Sequence, residues 1–310
     1  MPQSIKVRKM YYLCGRIPIT DEIMVEEYIV LTRSNQKAKN GSNFATIKIS
    51  RQKSEAYTFS IWDVNEGEGP DMGDIIKADV KYLATVKFPR KADFSNFRDC
   101  HPATPSDSLY AIIPRPIEKD LWDSCISKLL DLCSDQLLID FIRKESDALY
   151  ASYKTQTAAT GMHHAFKGGL LNHTYELLNM LIGLYPTLPP IKLERCIIAV
   201  LFHDYGKLKE YDDAMEPTKY MYLLGHIYIS AHVLHNKLNE FGVPNEETIR
   251  IIHCVLAHHG KREFGSPVVP CNQEALVVHY VDDISAHTSA CDETANMEKN
   301  FALETRVVKG

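Results

Sequence analysis

The apolar run Ile197-Ile198-Ala199-Val200-Leu201-Phe202 ends in His203-Asp204, and this junction constrains the chain more than any other feature. Leu193 to Phe202 reads as a strongly apolar helix, which must be buried. At its end, an imidazole and a carboxylate on adjacent residues can point at one cation. A bare His-Asp pair arises often by chance. Here His173 lies upstream, and His226, His258, His259 and Asp282 follow at intervals typical of successive helices.

The spacing predicts those helices. Apolar residues recur helically from Leu170 to Gly183, from His226 through Ile229 and Leu234, from Ile249 to Ala257, and from Ala275 to Ile284. Residues 170–290 therefore read as mostly α, with the histidines and acids near helix ends. A mixed imidazole and carboxylate set suits Mn²⁺, Fe²⁺, Zn²⁺ or Co²⁺, and Mg²⁺ less naturally. His173, His203, Asp204 and Asp282 can complete one site. Asp204 can bridge to a second cation held by His226 and His258 or His259. Two such cations polarise a phosphoryl group and activate water. Lys207, three residues after Asp204, stays near the same helical face and can position a phosphate, so Asp204 and Lys207 are the catalytic candidates. His259, His163 and His164 are candidates for metal or substrate contact. Each of these side chains taken singly also has a plain structural reading, as a helix cap or a surface group; it is the joint pattern that points to a metal centre.

Length and charge bound the rest. At 310 residues the chain can bury a full core and divide into two domains. No apolar run is long enough to span a bilayer, and the N-terminus lacks a segment of signal-peptide type. Eight scattered cysteines without a Cys-x-x-Cys pair suggest reduced thiols, so a cytoplasmic protein is expected. Residues 1–100 carry 16 Lys+Arg against 13 Asp+Glu, and residues 101–310 carry 19 against 27. A slightly basic first part allows a nucleic-acid partner there without demanding one.

That first part reads as β. Residues 11–17, 27–32, 44–49, 56–62 and 75–80 are strand-like, a further strand is expected over 82–88, and the polar run from Arg33 to Asn43 reads as a loop around the Asn40-Gly41 turn. Short strands in this number suggest a small OB-like barrel. Arg33, Lys37, Lys39, Phe44, Lys48, Tyr57 and Trp62 could stack bases and meet phosphates, although aromatic core and solvated lysines are the plain alternative. Residues 93–116, rich in Asp, Ser and Pro, read as a boundary.

Three segments carry a family resemblance: the stretch His163-His164 to His173-Thr174, His203-Asp204-Tyr205-Gly206-Lys207, and His258-His259-Gly260 to Pro267, completed by His279-Tyr280-Val281-Asp282-Asp283. The chain resembles the HD-domain metal-dependent phosphohydrolases and, more narrowly, the YhaM-like 3′-to-5′ exoribonucleases. Asn172 stands where an acidic residue usually precedes the first ligand. The resemblance implies an α+β, two-domain chain: an OB-like nucleic-acid-binding barrel (1–100), a linker with packing helices (101–157) and an all-α HD domain (158–310). It implies cleavage from the 3′ end of single-stranded RNA, with single-stranded DNA as a further substrate, and divalent cations with Mn²⁺ favoured; two cations fit the ligand array, no membrane partner is expected, and the extensive helical surfaces leave room for a homo-oligomer. The same chemistry would serve an HD-type nucleotide phosphohydrolase or a cyclic-nucleotide phosphodiesterase. A noncatalytic nucleic-acid-binding protein is the alternative of another class.

Overall fold

The computed structural model describes residues 10–11, 18–19, 24–52, 55–65, 68–82, 92–104, 106–109, 115–158, 166–212, 217–293, 299–300 and 303–308. Residues 12–17 of the first expected strand, 83–88 of the last, and the pair His163 and His164 lie outside the described residues. The chain separates into two compact units, residues 1–114 and 115–310.

In the first unit β1 (Met10–Tyr11) pairs with β2 (Pro18–Ile19). A five-stranded antiparallel sheet follows, made by β3 (Met24–Lys37), β4 (Asn43–Gln52), β5 (Glu55–Trp62), β6 (Asp74–Tyr82) and β7 (Ala92–Pro102) in the order β5-β4-β3-β6-β7. Register slips at Val30/Thr32, Ser50/Gln52, Ile75/Lys77 and Ala78/Val80 mark bulges, which bend strands and raise their twist. The sheet curls until β5 and β7 approach each other, yet no hydrogen-bonded ladder joins them among the described residues. The result is an incompletely closed half-barrel, where the sequence leads to the expectation of a small OB-like barrel. Its interior holds Tyr28, Val30, Ala45, Ile47, Ile49 and Ile76. Alternation on β4 buries Ala45, Ile47 and Ile49 and leaves Lys48 outward.

Two expectations fail locally. The polar run after Arg33 is no loop: β3 continues to Lys37, pairing Gln36 with Phe44 and Lys37 with Asn43, and only residues 38–42 turn. Polar side chains at alternate positions leave the backbone ladder intact on a sheet with one wet face. The expected boundary begins too early as well, because β7 runs through residues 93–102 against β6, with Phe94 opposite Val80 and Phe97 opposite Ala78.

The second unit is helical: α1 (Lys119–Leu130), α2 (Gln136–Tyr153), α3 (Gly169–Leu184), α4 (Leu193–Phe202), α5 (Lys207–Glu210), α6 (Lys219–Leu223), α7 (His226–Phe241), α8 (Asn245–Ala257) and α9 (Gln273–Glu293). A small hairpin of β8 (Lys299–Asn300) and β9 (Thr305–Arg306) follows. The helix α4 is buried along its whole length except at Arg195, and α2, α3, α7, α8 and α9 all pack on it. A helix apolar on every side has no other stable place. One core joins α1 and α2 to the helices that follow, through Trp122, Phe141, Leu177 and Phe202. Asn172 has a structural task here: its Nδ2 donates to the Arg115 carbonyl (2.6 Å) and its Oδ1 accepts from the Ile117 amide (3.0 Å), fastening the incoming chain to α3. Among the described residues no helix is long and apolar enough to cross a membrane.

Candidate metal centre

Five segments deliver the site. His173 sits in the first turns of α3, His203 caps α4, Asp204 follows in the turn, His226 opens α7, His258 caps α8 with His259 next, and Asp282 lies midway along α9. Two glycines permit the approach. A Cβ on Gly206 would stand 2.3 Å from the His226 carbonyl oxygen, so only glycine lets this turn dock on the start of α7. The Gly206 amide then donates to Ser230 Oγ at 2.8 Å. A Cβ on Gly260 would meet the His279 ring at 2.3 Å, and at φ +74° that backbone favours glycine in any case.

Asp204 is the centre of the arrangement. Its Oδ2 faces one cluster, 3.3 Å from His203 Nε2 and 3.9 Å from His173 Nε2. Its Oδ1 faces the other, 3.5 Å from His226 Nε2 and 3.9 Å from His258 Nε2. Asp282 Oδ1 joins the first cluster 3.1 Å from His173 Nε2. His259 Nε2 joins the second, 3.4 Å from His226 Nε2. Among the described residues two groups thus have the compactness of metal sites: His173, His203 and Asp204, and His226, His258 and His259.

The hydrogen bonds set the ring tautomers. Nδ1 of His203 lies 2.8 Å from the Val200 carbonyl, that of His258 2.6 Å from the Val255 carbonyl, and that of His259 2.8 Å from the Phe264 carbonyl. His226 Nδ1 meets the buried Glu210 Oε1 at 3.2 Å, and that oxygen also accepts the His226 amide at 2.6 Å. His173 Nδ1 meets Ser285 Oγ at 3.1 Å, whose own proton goes to Glu176 Oε2 at 2.9 Å. Each partner accepts a proton from Nδ1, so each Nε2 lone pair faces inward, as ligating histidines are held. Sequence reasoning missed Glu210, Ser285 and Glu176. Only the capacity of a buried imidazole to need an acceptor could have hinted at them.

Such a set fits cations and fits little else. Nε2 of His173 and of His203 face each other at 3.2 Å, an opposition of lone pairs that a cation or proton between them relieves. Among the described residues, the buried Asp204 Oδ1 and His258 Nε2 find no hydrogen-bond partner, a cost that native sites tolerate for function. Burial opposes charge on Asp204 and Asp282, but Lys207 and His203 hold the first carboxyl, and His173 and His203 the second, well below the usual range. Burial, with neighbouring imidazoles, pushes His258 and His259 down, which keeps them neutral as donors. Burial also lowers His203, but Asp204 outweighs it and raises the ring, and the same negative field attracts any cation. Lys207 Nζ lies 2.6 Å from Asp204 Oδ2, and this pairing raises its pKa despite burial, so it stays charged. A cavity of about 450 Å³ opens over His173, Asp204, Lys207, His258, His259 and Asp282.

The family of HD domains matches residues 170–287, which include every member of both clusters. Along nearly the whole chain, a 3′-5′ exoribonuclease YhaM of Halalkalibacterium halodurans is 37% identical over 292 residues, covering 91% of this chain and 87% of the relative. The chain belongs to the YhaM family. The YhaM proteins of Bacillus subtilis and Listeria innocua are more distant, at 27% over 299 residues and 26% over 292, and each alignment covers 91% of this chain and more than nine-tenths of the relative. No solved structure matches the chain. As a YhaM-family chain with an HD phosphohydrolase domain and two candidate metal clusters, the protein is an enzyme.

The half-barrel residues are placed as follows. Lys37, Lys39 and Lys48 are exposed. Phe44 and Trp62 are cross-strand neighbours and stack, with centroids 4.7 Å apart and planes inclined by 25°, and Trp62 remains 56% exposed. The side chain of Tyr57 lies outside the described residues. Arg33 is buried, and its guanidinium donates to Asn35 Oδ1 and to the carbonyls of Asn65 and Pro70 at 3.0–3.2 Å, bracing that loop instead of facing solvent.

Proposed function

We propose that the protein is a metal-dependent 3′-to-5′ exonuclease that hydrolyses single-stranded RNA, and single-stranded DNA as a second substrate. The observation that carries the reading is Asp204 turning one carboxylate oxygen to each of two histidine clusters, in a family whose relatives bear that activity in their names. His173, His203, Asp204 and Asp282 would hold one cation, and Asp204, His226 and His258, with His259 beside them, a second. The family resemblance favours Mn²⁺, and Fe²⁺, Co²⁺, Zn²⁺ and Mg²⁺ are the other candidates for this mixed imidazole and carboxylate set. When bound, such ions supply Lewis-acid polarisation of the phosphate and make water more acidic. Lys207 offers a positive charge at Asp204 for a phosphate oxygen, and Glu210 and the Ser285–Glu176 pair keep their imidazoles oriented.

The division of labour follows the chain. Residues 1–100 would form an OB-like nucleic-acid-binding unit, residues 101–157 a linker and packing helices, and residues 158–310 the HD phosphohydrolase domain. The strand order places β3 between β4 and β6, as an OB-like barrel would, and Phe44, Trp62, Lys37, Lys39 and Lys48 are suited to stacking bases and meeting phosphates. The seven cysteines among the described residues are free thiols, which suits a cytoplasmic protein, and a homo-oligomer belongs to the same reading.

Incubating the purified protein and Mn²⁺ with 5′-labelled single-stranded RNA should give a progressively shortening ladder. Absence of shortening across several divalent metals would overturn the proposal. A second reading, hydrolysis of a free nucleotide, is favoured by a cavity of about 450 Å³, within the range of small-molecule sites. Rapid turnover of a nucleotide panel without cleavage of oligonucleotides would place it first.

A further inference from the structure

The wall of the cavity is mostly imidazole and carboxylate, with Phe264 among its few apolar elements. Phe264 is 59% exposed, while its backbone is held firmly. Arg262–Phe264 forms a 3₁₀ turn in which the Phe264 and Ser266 amides both donate to the Lys261 carbonyl, at 3.1 and 3.2 Å. The buried Ser266 hydroxyl lies 3.0 Å from the Leu256 carbonyl and 2.8 Å from that of Val268, fixing the turn to the end of α8. The Phe264 carbonyl accepts from His259 Nδ1 at 2.8 Å, which ties the ring's position to the second histidine cluster. Lys261 Nζ stands 5.1 Å from the ring centroid.

A scattered exposed aromatic means little. A rigidly mounted ring on the wall of this cavity is different, because Phe264 is the one large lining side chain that carries neither charge nor a hydrogen-bonding atom. We propose that Phe264 is the stacking platform for the nucleobase of the terminal nucleotide, with that nucleotide's phosphate directed at Lys207 and the cation sites around Asp204. The inference rests on the exonuclease reading and adds a substrate-binding residue to it. Stacking is indifferent to base identity, since every base has a π face, so this contact recognises a nucleotide without selecting sequence.

The test uses the full-length, Mn²⁺-loaded protein and two 5′-labelled oligoribonucleotides that differ only in whether the 3′-terminal residue carries a base. A stacked base is worth about 1–3 kcal/mol, so Phe264→Ala should lower kcat/KM about 5- to 150-fold on the base-bearing end. The parent protein should lose a similar factor on the abasic end, where Phe264→Ala should add nothing further. Phe264→Trp should retain the parent's preference, and metal content should match the parent in both variants, because the carbonyl that holds His259 remains. An equal penalty for Phe264→Ala on both ends, or a Phe264→Trp variant as impaired as the alanine one, would overturn the stacking role and leave the exonuclease reading standing. If the parent shortens neither oligonucleotide in any divalent metal, the exonuclease reading fails and the inference falls with it.

Discussion

At the scale of single residues, the centre depends on side chains that set the orientation of others. Glu210 holds His226 by both its ring and its amide. Glu210→Gln keeps the shape but removes the charge that makes the imidazole a stronger donor. We expect Mn²⁺ affinity at the second cluster to fall about 10- to 100-fold, read as a higher half-saturating Mn²⁺ concentration in a titration at fixed protein. Unchanged affinity would show that the carboxylate only packs there. His203-Asp204 and Asp282 were legible because they follow or interrupt strongly apolar helical patterns. Glu210 was not: it looks like any acid on a short helix, and its partner is 16 positions away in sequence. Arg33 was misleading for the opposite reason. A cation on a strand reads as solvated, whereas here backbone carbonyls from residues 65 and 70 satisfy it.

At the scale of elements, α4 is held in place by its apolar surface and by an ionic clamp at its start. Arg195 contacts Glu247 of α8 at 2.7 Å and Glu274 of α9 at 3.1 Å, and Lys192 contacts Glu247 at 2.9 Å. The Arg195 hydrogen bonds are the main cause that brings the Glu247 carboxyl down to about 2. A carboxyl depressed in the folded state contributes stability that is complete above its unfolded pKa and disappears as pH falls through the folded one. Glu247→Gln should therefore destabilise the protein by about 1–2 kcal/mol at neutral pH, after allowance for solvent screening. In thermal melts the gap to the parent should close as pH drops from about 4.5 toward 2; a gap independent of pH would mean lost packing instead. The helices were legible from their apolar period. The reach of β3 to Lys37 and the existence of β7 were not, since their pairing lies in backbone ladders that polar residues and Pro-rich surroundings conceal.

At the scale of the whole molecule, the proposed function divides strand capture, by the half-barrel, from hydrolysis, by the helical unit. Trp62→Ala should weaken binding of long single strands about 5- to 150-fold if one base stacks there, with little change in turnover of a dinucleotide. Lys48→Ala should flatten the dependence of log affinity on log salt by about 0.7 if it meets one phosphate of a single strand. Equal losses on long and short substrates would assign the half-barrel to support of the fold. Its incomplete closure among the described residues was invisible in the sequence, because strand count and length do not report whether the two edge strands, β5 and β7, exchange hydrogen bonds.

The central claim is that Asp204 joins two cation sites, and the most direct measurement is the metal-to-protein ratio after Mn²⁺ loading and removal of free metal. Two ions per chain are expected in the parent, close to none in Asp204→Ala, and one in His226→Ala, where the cluster of His173, His203 and Asp282 is untouched. A parent that retains no more than one ion, or an Asp204→Ala variant that still holds two, would contradict it.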